Sequence, residues 1–530
     1  MVLHNRHFRL YLACAILLGI PSFLVWFRQP FLITKNEFDF FLGLFAADFG
    51  SLDTGLLMFG KSLHFFLILL MSWAYYRLIT ELGDTNVPLE WRDLVIPSAL
   101  MIGISFFYLP WLSPDVFFYF GTGWMESQYS LNPYQQVIAD CPGWESDPTF
   151  RNIFPAWRYV ITPYGPLFVK FIGALTHIAG GDDRVALLLV KVVFVLCHLL
   201  NGWLVCLIAR QLGFKDQLAM LLYLISPVPL LDYIGWAHND VMMLSCLFAA
   251  LWAMLGGRHV LATLLLGVGV GLKYVPLLLF PYLFLYMRRG RPRAALVPGA
   301  LGFGLLLAAV VLAPYVWYEN GVWNFLRLFR GQDQLHRNFL YLFILKFVTL
   351  LTYKTTMLAT LQPIKMLAIL QPIKLALKSV FLVLGALIAY RLWRRGPAMA
   401  SDDLFASIVV MLLLYFVVGS PEIHEWYIGW FLCFVFWVND RVYYNVGMLL
   451  TAALNALVIY EVRSPALVIA ATWSLCFLVL WVGLYYLWKQ RQLQAWRPSP
   501  LSRYQSSDYY DPTSLITVVP GYPPSGSSAE

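Results

Sequence analysis

The stretch "WLSPDVFFYFGTGWMESQYSLNPYQQ", residues 111–136, follows an apolar run and sets one carboxylate, Asp115, where a membrane span should end. Aromatic residues, an Asn-Pro-Tyr and several amides come next. Working outward, the 530-residue chain is 60% hydrophobic and only 12% charged, with a mean hydropathy of +0.68. Soluble domains carry about 25% charged residues. Apolar runs of bilayer-crossing length recur from near residue 8 to residue 488, with no soluble domain between them. Backbone in lipid must satisfy itself, so the expected fold is an all-α polytopic bundle of about 12 to 14 transmembrane helices.

The candidate spans lie near 8–27, 57–76, 93–111, 184–208, 217–233, 240–256, 294–315, 338–353, 375–392, 404–419, 426–439, 443–461 and 466–488. Residues 1–488 form the membrane domain, and 112–164 its large non-cytoplasmic loop. The Ser-, Pro- and Gly-rich tail, 489–530, is expected to be disordered. The formal charge of +8 is explained by topology and not by nucleic acid. Assigning loops alternately to two sides puts about twenty Lys and Arg on one face and about ten on the other. The richer face includes Arg77, Arg210 and the cluster "RRGRPR" at 288–293, which makes both termini cytoplasmic. The seven cysteines fall almost all inside apolar runs and form no CxxC pair, so they read as packing residues.

Three segments resist simple alternation. "YGPLFVKFIGALTHIAGG" (164–181) is short and holds Lys170 and His177, as a re-entrant or interface-lying helix would. "GLKYVP" (271–276) splits its run into two short helices with Lys273 at the turn. The near-duplicate around 361–374 carries Pro363 and Pro372, which are expected to break the helix.

Asp115 follows Pro114, so taken alone it reads as the acidic first turn of a surface helix. Other polar residues gather at the outer ends of separate runs. "GWAHND" supplies His238, Asn239 and Asp240, and "GSPEIHEWYIGW" supplies Glu422, His424, Glu425, Trp426 and Tyr427. Lys273 adds a cation, and Arg151, Arg158 and Arg337 lie in outer loops. Singly, each has an ordinary reading as a packed histidine or a solvated arginine. Converging, they would form a site. Carboxylate and imidazole suit removal of a hydroxyl proton, Lys and Arg suit a phosphate, and aromatic surface suits sugar faces and prenyl chains. No DxD pair surrounds Asp115, and neither GxGxxG nor a Walker-type loop occurs, so neither a divalent metal nor a nucleotide is expected.

In this order, "SPDVFFYFGTGWMESQYSLNPYQQ", "TPYGPLF", "GWAHNDVMML", "GLKYVPLLLFPY" and "IHEWYIGW" resemble the polyprenol-phosphate-mannose-dependent mannosyltransferases of bacteria. The similarity to the catalytic subunit of GPI mannosyltransferase I is more distant. The resemblance covers about 93–440 and implies a GT-C fold and a polyprenyl-phosphate-linked sugar donor. It also implies a lipid or glycan acceptor and a site on the periplasmic or extracellular face of a bacterial inner membrane. It assigns the catalytic base to Asp115 and the donor phosphate to Lys273; from their place in outer loops, Arg151, Arg158 and Arg337 are expected to help stabilise that phosphate. It sets His238 and Asp240 at the border of the cavity, and the residues' own clustering adds Tyr119, Glu422, His424, Glu425, Trp426 and Tyr427 as expected sugar or acceptor contacts. Loop shaping falls to Asn132, Pro133, Tyr134, Tyr164, Gly165 and Pro166. Two departures stand out: Glu425 occupies a position usually held by proline, and "QYSLNPY" lacks the usual glycine turn. The competing reading is a polytopic transporter or lipid flippase.

Overall fold

The structure is a computed structural model and describes residues 1–28, 54–85, 88–110, 113, 115–289, 363–420 and 425–457, with 302, 304, 481–486, 488 and 501. Every regular element among these residues is helical. Among the described residues, four helices are long and apolar enough to cross a membrane by length and composition: Leu63–Asp84, Asp183–Leu212, Pro372–Ala398 and Ser401–Gly419. The expected spans 294–315 and 338–353 lie almost wholly outside the described residues, as do most of 466–488 and the tail.

In chain order the helices are α1 (Arg6–Arg28), α2 (Thr54–Asp84), α3 (Trp91–Phe106), α4 (Asp115–Tyr129), α5 (Pro166–Ile178), α6 (Asp183–Leu212) and α7 (Asp216–Leu224). After a π-turn at Pro229–Gly235 come α8 (Asp240–Leu255), α9 (His259–Leu272), α10 (Val275–Arg288), α11 (Pro363–Arg395), α12 (Ser401–Leu414), α13 (Ile428–Val435) and α14 (Arg441–Leu457). Local chemistry sets the limits of α6. The Asp182 carboxylate accepts from the amides of Arg184 and Val185 at its start, and Gly213 closes its end at φ 72°.

Several expectations are corrected. The span expected at 217–233 is not straight: α7 and the π-turn are bent by 53°, because Pro227 and Pro229 interrupt the helix. The 426–439 span shrinks to α13, eight residues long. The duplicated prolines do not break their segment. Pro363 starts α11, where no amide bond is lost, and Pro372 is accommodated inside a continuous 33-residue helix.

Other expectations hold. The segment at 164–181 forms α5, only 13 residues and about 20 Å long, too short to span the roughly 30 Å of hydrocarbon. The run centred on "GLKYVP" divides into α9 and α10, with Lys273 extended between them.

The 112–164 segment is more ordered than a loop. It contains α4 and short 3₁₀ turns at Ile138–Asp140, Pro148–Phe150 and Pro155–Tyr159. Asp147 ties it together by accepting from the Trp124 indole and the Tyr129 hydroxyl, each at 2.8 Å, and from the Thr149 amide at 2.8 Å. Partial burial pushes its carboxyl up, but these three donors outweigh it and hold the group below the usual carboxylate range. A depressed folded value means that the stabilisation is complete above the unfolded value, about 3.9, and fades as pH falls through the folded one. Asp147→Asn is therefore expected to cost about 1–3 kcal/mol at neutral pH. The gap in melting temperature between variant and native protein should close below pH about 4; a gap independent of pH would contradict this.

Candidate active site

α4 supplies the first two groups. Asp115 occupies its first turn, where unpaired amides favour a carboxylate, and Tyr119 lies one turn on along the same face. Both reach His238. The Asp115 Oδ2 lies 3.9 Å from His238 Nδ1, and the Tyr119 hydroxyl is 3.4 Å from the same nitrogen. His238 is fully buried and stacked on Trp426, ring centroids 3.8 Å apart, whereas the Asp115 side chain keeps 15% of its surface open. The preceding residue, Ala237, has φ 58°, a costly conformation for a residue with a Cβ.

Asp240 opens α8 and is fully enclosed. It takes both oxygens to Lys273 Nζ at 2.8 Å and accepts from the Trp430 indole at 2.6 Å. Asn239 Oδ1 stands 3.4 Å from the same ammonium. Tyr427 and Trp430 stack at 4.1 Å, and Lys273 lies 5.6 and 5.4 Å from their ring centroids. The Lys273 side chain is 14% exposed, and its ammonium lies beside two aromatic faces and is anchored by a buried carboxylate.

Four chain-distant clusters therefore meet: Asp115 with Tyr119, the 238–240 turn, Lys273, and the 426–430 aromatics. The loop residues join them. The Tyr134 amide donates to Asn132 Oδ1 at 3.0 Å, the Thr162 amide to the Pro133 carbonyl at 3.0 Å, and the Tyr134 hydroxyl to the Tyr164 carbonyl at 2.9 Å. Tyr164 sets its ring edge-on to Tyr119 at 4.7 Å. The Gly165 amide donates to the Leu272 carbonyl at 3.2 Å, and a Cβ there would stand 2.2 Å from the Gly271 oxygen, so this crossing requires glycine. Pro166 then starts α5.

Other predicted residues are placed elsewhere. Arg158 donates to the Arg151 carbonyl at 3.0 Å and lies over the Trp144 ring at 5.5 Å, within the outer loop. Glu422, His424 and Arg337 lie outside the described residues, as does the side chain of Glu425, whose backbone forms a 3₁₀ turn with Trp426 and Tyr427. Asp240 was expected at a rim, but it is sealed beneath Lys273 and Trp430. Two features went unread in the sequence. Glu126 of α4 pairs with Lys170 of α5, and Trp430 bonds Asp240. Neither partner is near its mate in the chain.

The comparisons agree with the resemblance. A family model described as alpha-(1->6)-mannopyranosyltransferase, N-terminal domain, matches residues 49–289. This range includes Asp115, Tyr119, His238, Asp240 and Lys273. The chain is 24% identical over 245 residues to alpha-(1->6)-mannopyranosyltransferase A of Corynebacterium glutamicum, covering 43% of this chain and 49% of that protein. It is 24% identical over 273 residues to the enzyme of the same name from Mycobacterium tuberculosis, covering 50% and 52%. Alpha-(1->6)-mannopyranosyltransferase B of C. glutamicum matches at 22% over 162 residues. The chain spans about half the length of these two mannopyranosyltransferases A. It is an integral membrane protein similar to bacterial alpha-mannosyltransferases.

Removing one member of a buried ion pair leaves the other charge stranded, at a cost of about 3–5 kcal/mol. Lys273→Met and Asp240→Asn should each destabilise the protein in that range, while the double substitution should cost less than their sum. Strict additivity in thermal melts would show that the pair is not coupled.

Proposed function

We propose that the chain is a membrane mannosyltransferase that moves mannose from a polyprenyl-phosphate carrier to a hydroxyl of a lipid or glycan acceptor, with inversion. The observation that carries this is the contrast between two carboxylates. Asp240 is fully buried and bonded to Lys273 and Trp430, whereas the Asp115 side chain keeps 15% of its surface open beside a buried imidazole at 3.9 Å. An open carboxylate is the one able to meet a substrate hydroxyl.

In this reading Asp115 takes the proton of the acceptor hydroxyl as its oxygen attacks the anomeric carbon. The bond from that carbon to the phosphate oxygen breaks, and its electron pair leaves with the polyprenyl phosphate. Lys273, fixed by Asp240, faces the leaving phosphate. Electrostatic stabilisation of this kind is worth several kcal/mol. The phosphate is a weak base, so no general acid is needed. His238 and Tyr119 orient Asp115. Tyr427, which packs on Trp430 beside Lys273, offers an aromatic face to the sugar. Arg151 and Arg158 of the outer loop would add positive charge on the approach, while Arg337, Glu422, His424 and the Glu425 side chain, expected from the sequence to take part, lie outside the described residues. The GT-C architecture and the non-cytoplasmic placement of the site, in a bacterial inner membrane, belong to the same proposal. It is supported by the similarity to mannosyltransferases over 49–289 and by the placement of arginine and lysine in the loops.

The test is mannose transfer from labelled polyprenyl-phosphate-mannose to a lipid extract by purified protein in lipid, native against Asp115→Asn. Loss of the base should lower kcat by about 10²–10⁴ with the protein still folded. Transfer that is undiminished in the variant would overturn Asp115 as the base. Absence of transfer by the native protein would overturn the donor assignment.

A further inference from the structure

Lys191 lies two turns into α6, inside the run "VALLLVKVVFVLCHLL" (185–200), and is fully buried. A charge within a span is costly, and such residues normally have a stated partner. Its partners are four backbone oxygens: Phe106 O at 3.0 Å, Tyr108 O at 2.6 Å, Ile234 O at 3.0 Å and Gly235 O at 2.7 Å. None is a carboxylate. Three N–H groups of an ammonium share four carbonyl dipoles.

The two pairs of carbonyls belong to the two strips of chain that deliver the site. Phe106 ends α3 and Tyr108 lies two residues beyond it, and the chain runs from them to Asp115. Ile234 and Gly235 end the π-turn, three residues before His238. Lys191 belongs to a polar stripe on one side of α6. His198 Nε2 is 3.1 Å from the Leu224 carbonyl, and Asn201 Nδ2 donates to the Tyr223 hydroxyl at 3.0 Å and to the Val241 carbonyl at 3.1 Å. These three residues fall within about 15 Å along the helix axis. Each meets the broken segment or the start of α8. Lys191 alone also grips the strip that leads to Asp115.

We propose that Lys191 is a positioning residue of this site: its ammonium clamps the end of α3 to the π-turn and thereby sets Asp115 against His238. It touches no substrate. The catalytic part of this inference rests on the transfer reading above, whereas the geometric part does not. Lys191→Met keeps length and removes every N–H donor. Lys191→Gln keeps two donors without charge and serves wherever the Met variant does not fold. Normalised to folded protein, the Met variant is expected to lose at least tenfold in kcat with KM for the donor unchanged, and Gln to fall between Met and native.

A second readout needs no activity. Asp115→His places two imidazoles together with the Tyr119 hydroxyl, so added zinc should raise the melting temperature of that variant. Combining Asp115→His with Lys191→Met should abolish the zinc-induced rise, and combining it with Lys191→Gln should reduce it. Loss of both zinc response and kcat confirms the clamp. Loss of the zinc response in a protein whose native form transfers no mannose upholds the clamp and overturns the transfer reading. An unchanged zinc response, or native kcat in folded Lys191→Met, would overturn the clamp and leave Lys191 as packing only.

Discussion

Backbone carbonyls released where a membrane span breaks have no water to turn to, and the rest of this structure is arranged around satisfying them. The break after α7 frees oxygens from Leu222 to Gly235. The Tyr75 hydroxyl meets Leu222 at 2.7 Å, His198 meets Leu224, the Tyr11 hydroxyl meets Ile225 at 2.5 Å, and Lys191 meets Ile234 and Gly235. Side chains from α1, α2 and α6 thus converge on one interrupted segment. Their common product is an irregular stretch of backbone held firmly enough to carry His238 through the left-handed conformation of Ala237.

Two carboxylates sit close to one histidine turn and have opposite environments. Asp240 is enclosed, doubly bonded to an ammonium and to an indole, which makes it a structural counter-charge. Asp115 stands at a helix start with part of its surface open. Burial, more than residue type, separates the two: one side chain is sealed and the other keeps 15% of its surface exposed. The same logic applies to the cation: Lys273 is held by a buried partner so that its ammonium remains in place between aromatic faces and the open side.

Much of this was legible in the chain. The helix break at "GLKYVP", the shortness of 164–181 and the grouping of Asp115 with the 238–240 and 426–430 motifs could all be read, because Pro, Gly and polar residues interrupt otherwise apolar runs. What could not be read were pairings across the sequence. Asp240 looked like a rim residue because nothing local reveals that Lys273 and Trp430 would close over it. Pro372 looked like a breaker because context, and not propensity, decides whether a proline interrupts a long helix. Lys191 did leave a signal, a single charge in the middle of a span, but its carbonyl partners lie about 40 and 85 residues away and belong to backbone, which has no composition to read.

The contact between α4 and α5 has a mechanical meaning. A Cβ on Gly123 would stand 2.8 Å from the Ile172 carbonyl carbon, so the two helices meet nearly backbone to backbone, and Glu126 with Lys170 pins them again. The start of α5 is in turn clipped to the Leu272 carbonyl, next to Lys273. Asp115 at one end and Lys273 at the other are therefore joined through a stiff strut with no soft side-chain layer in it. The gap between negative and positive charge works as a fixed gauge. In the proposed reading, a substrate would have to fit that gauge, and adaptation to different acceptors would fall to the walls around it and not to its length.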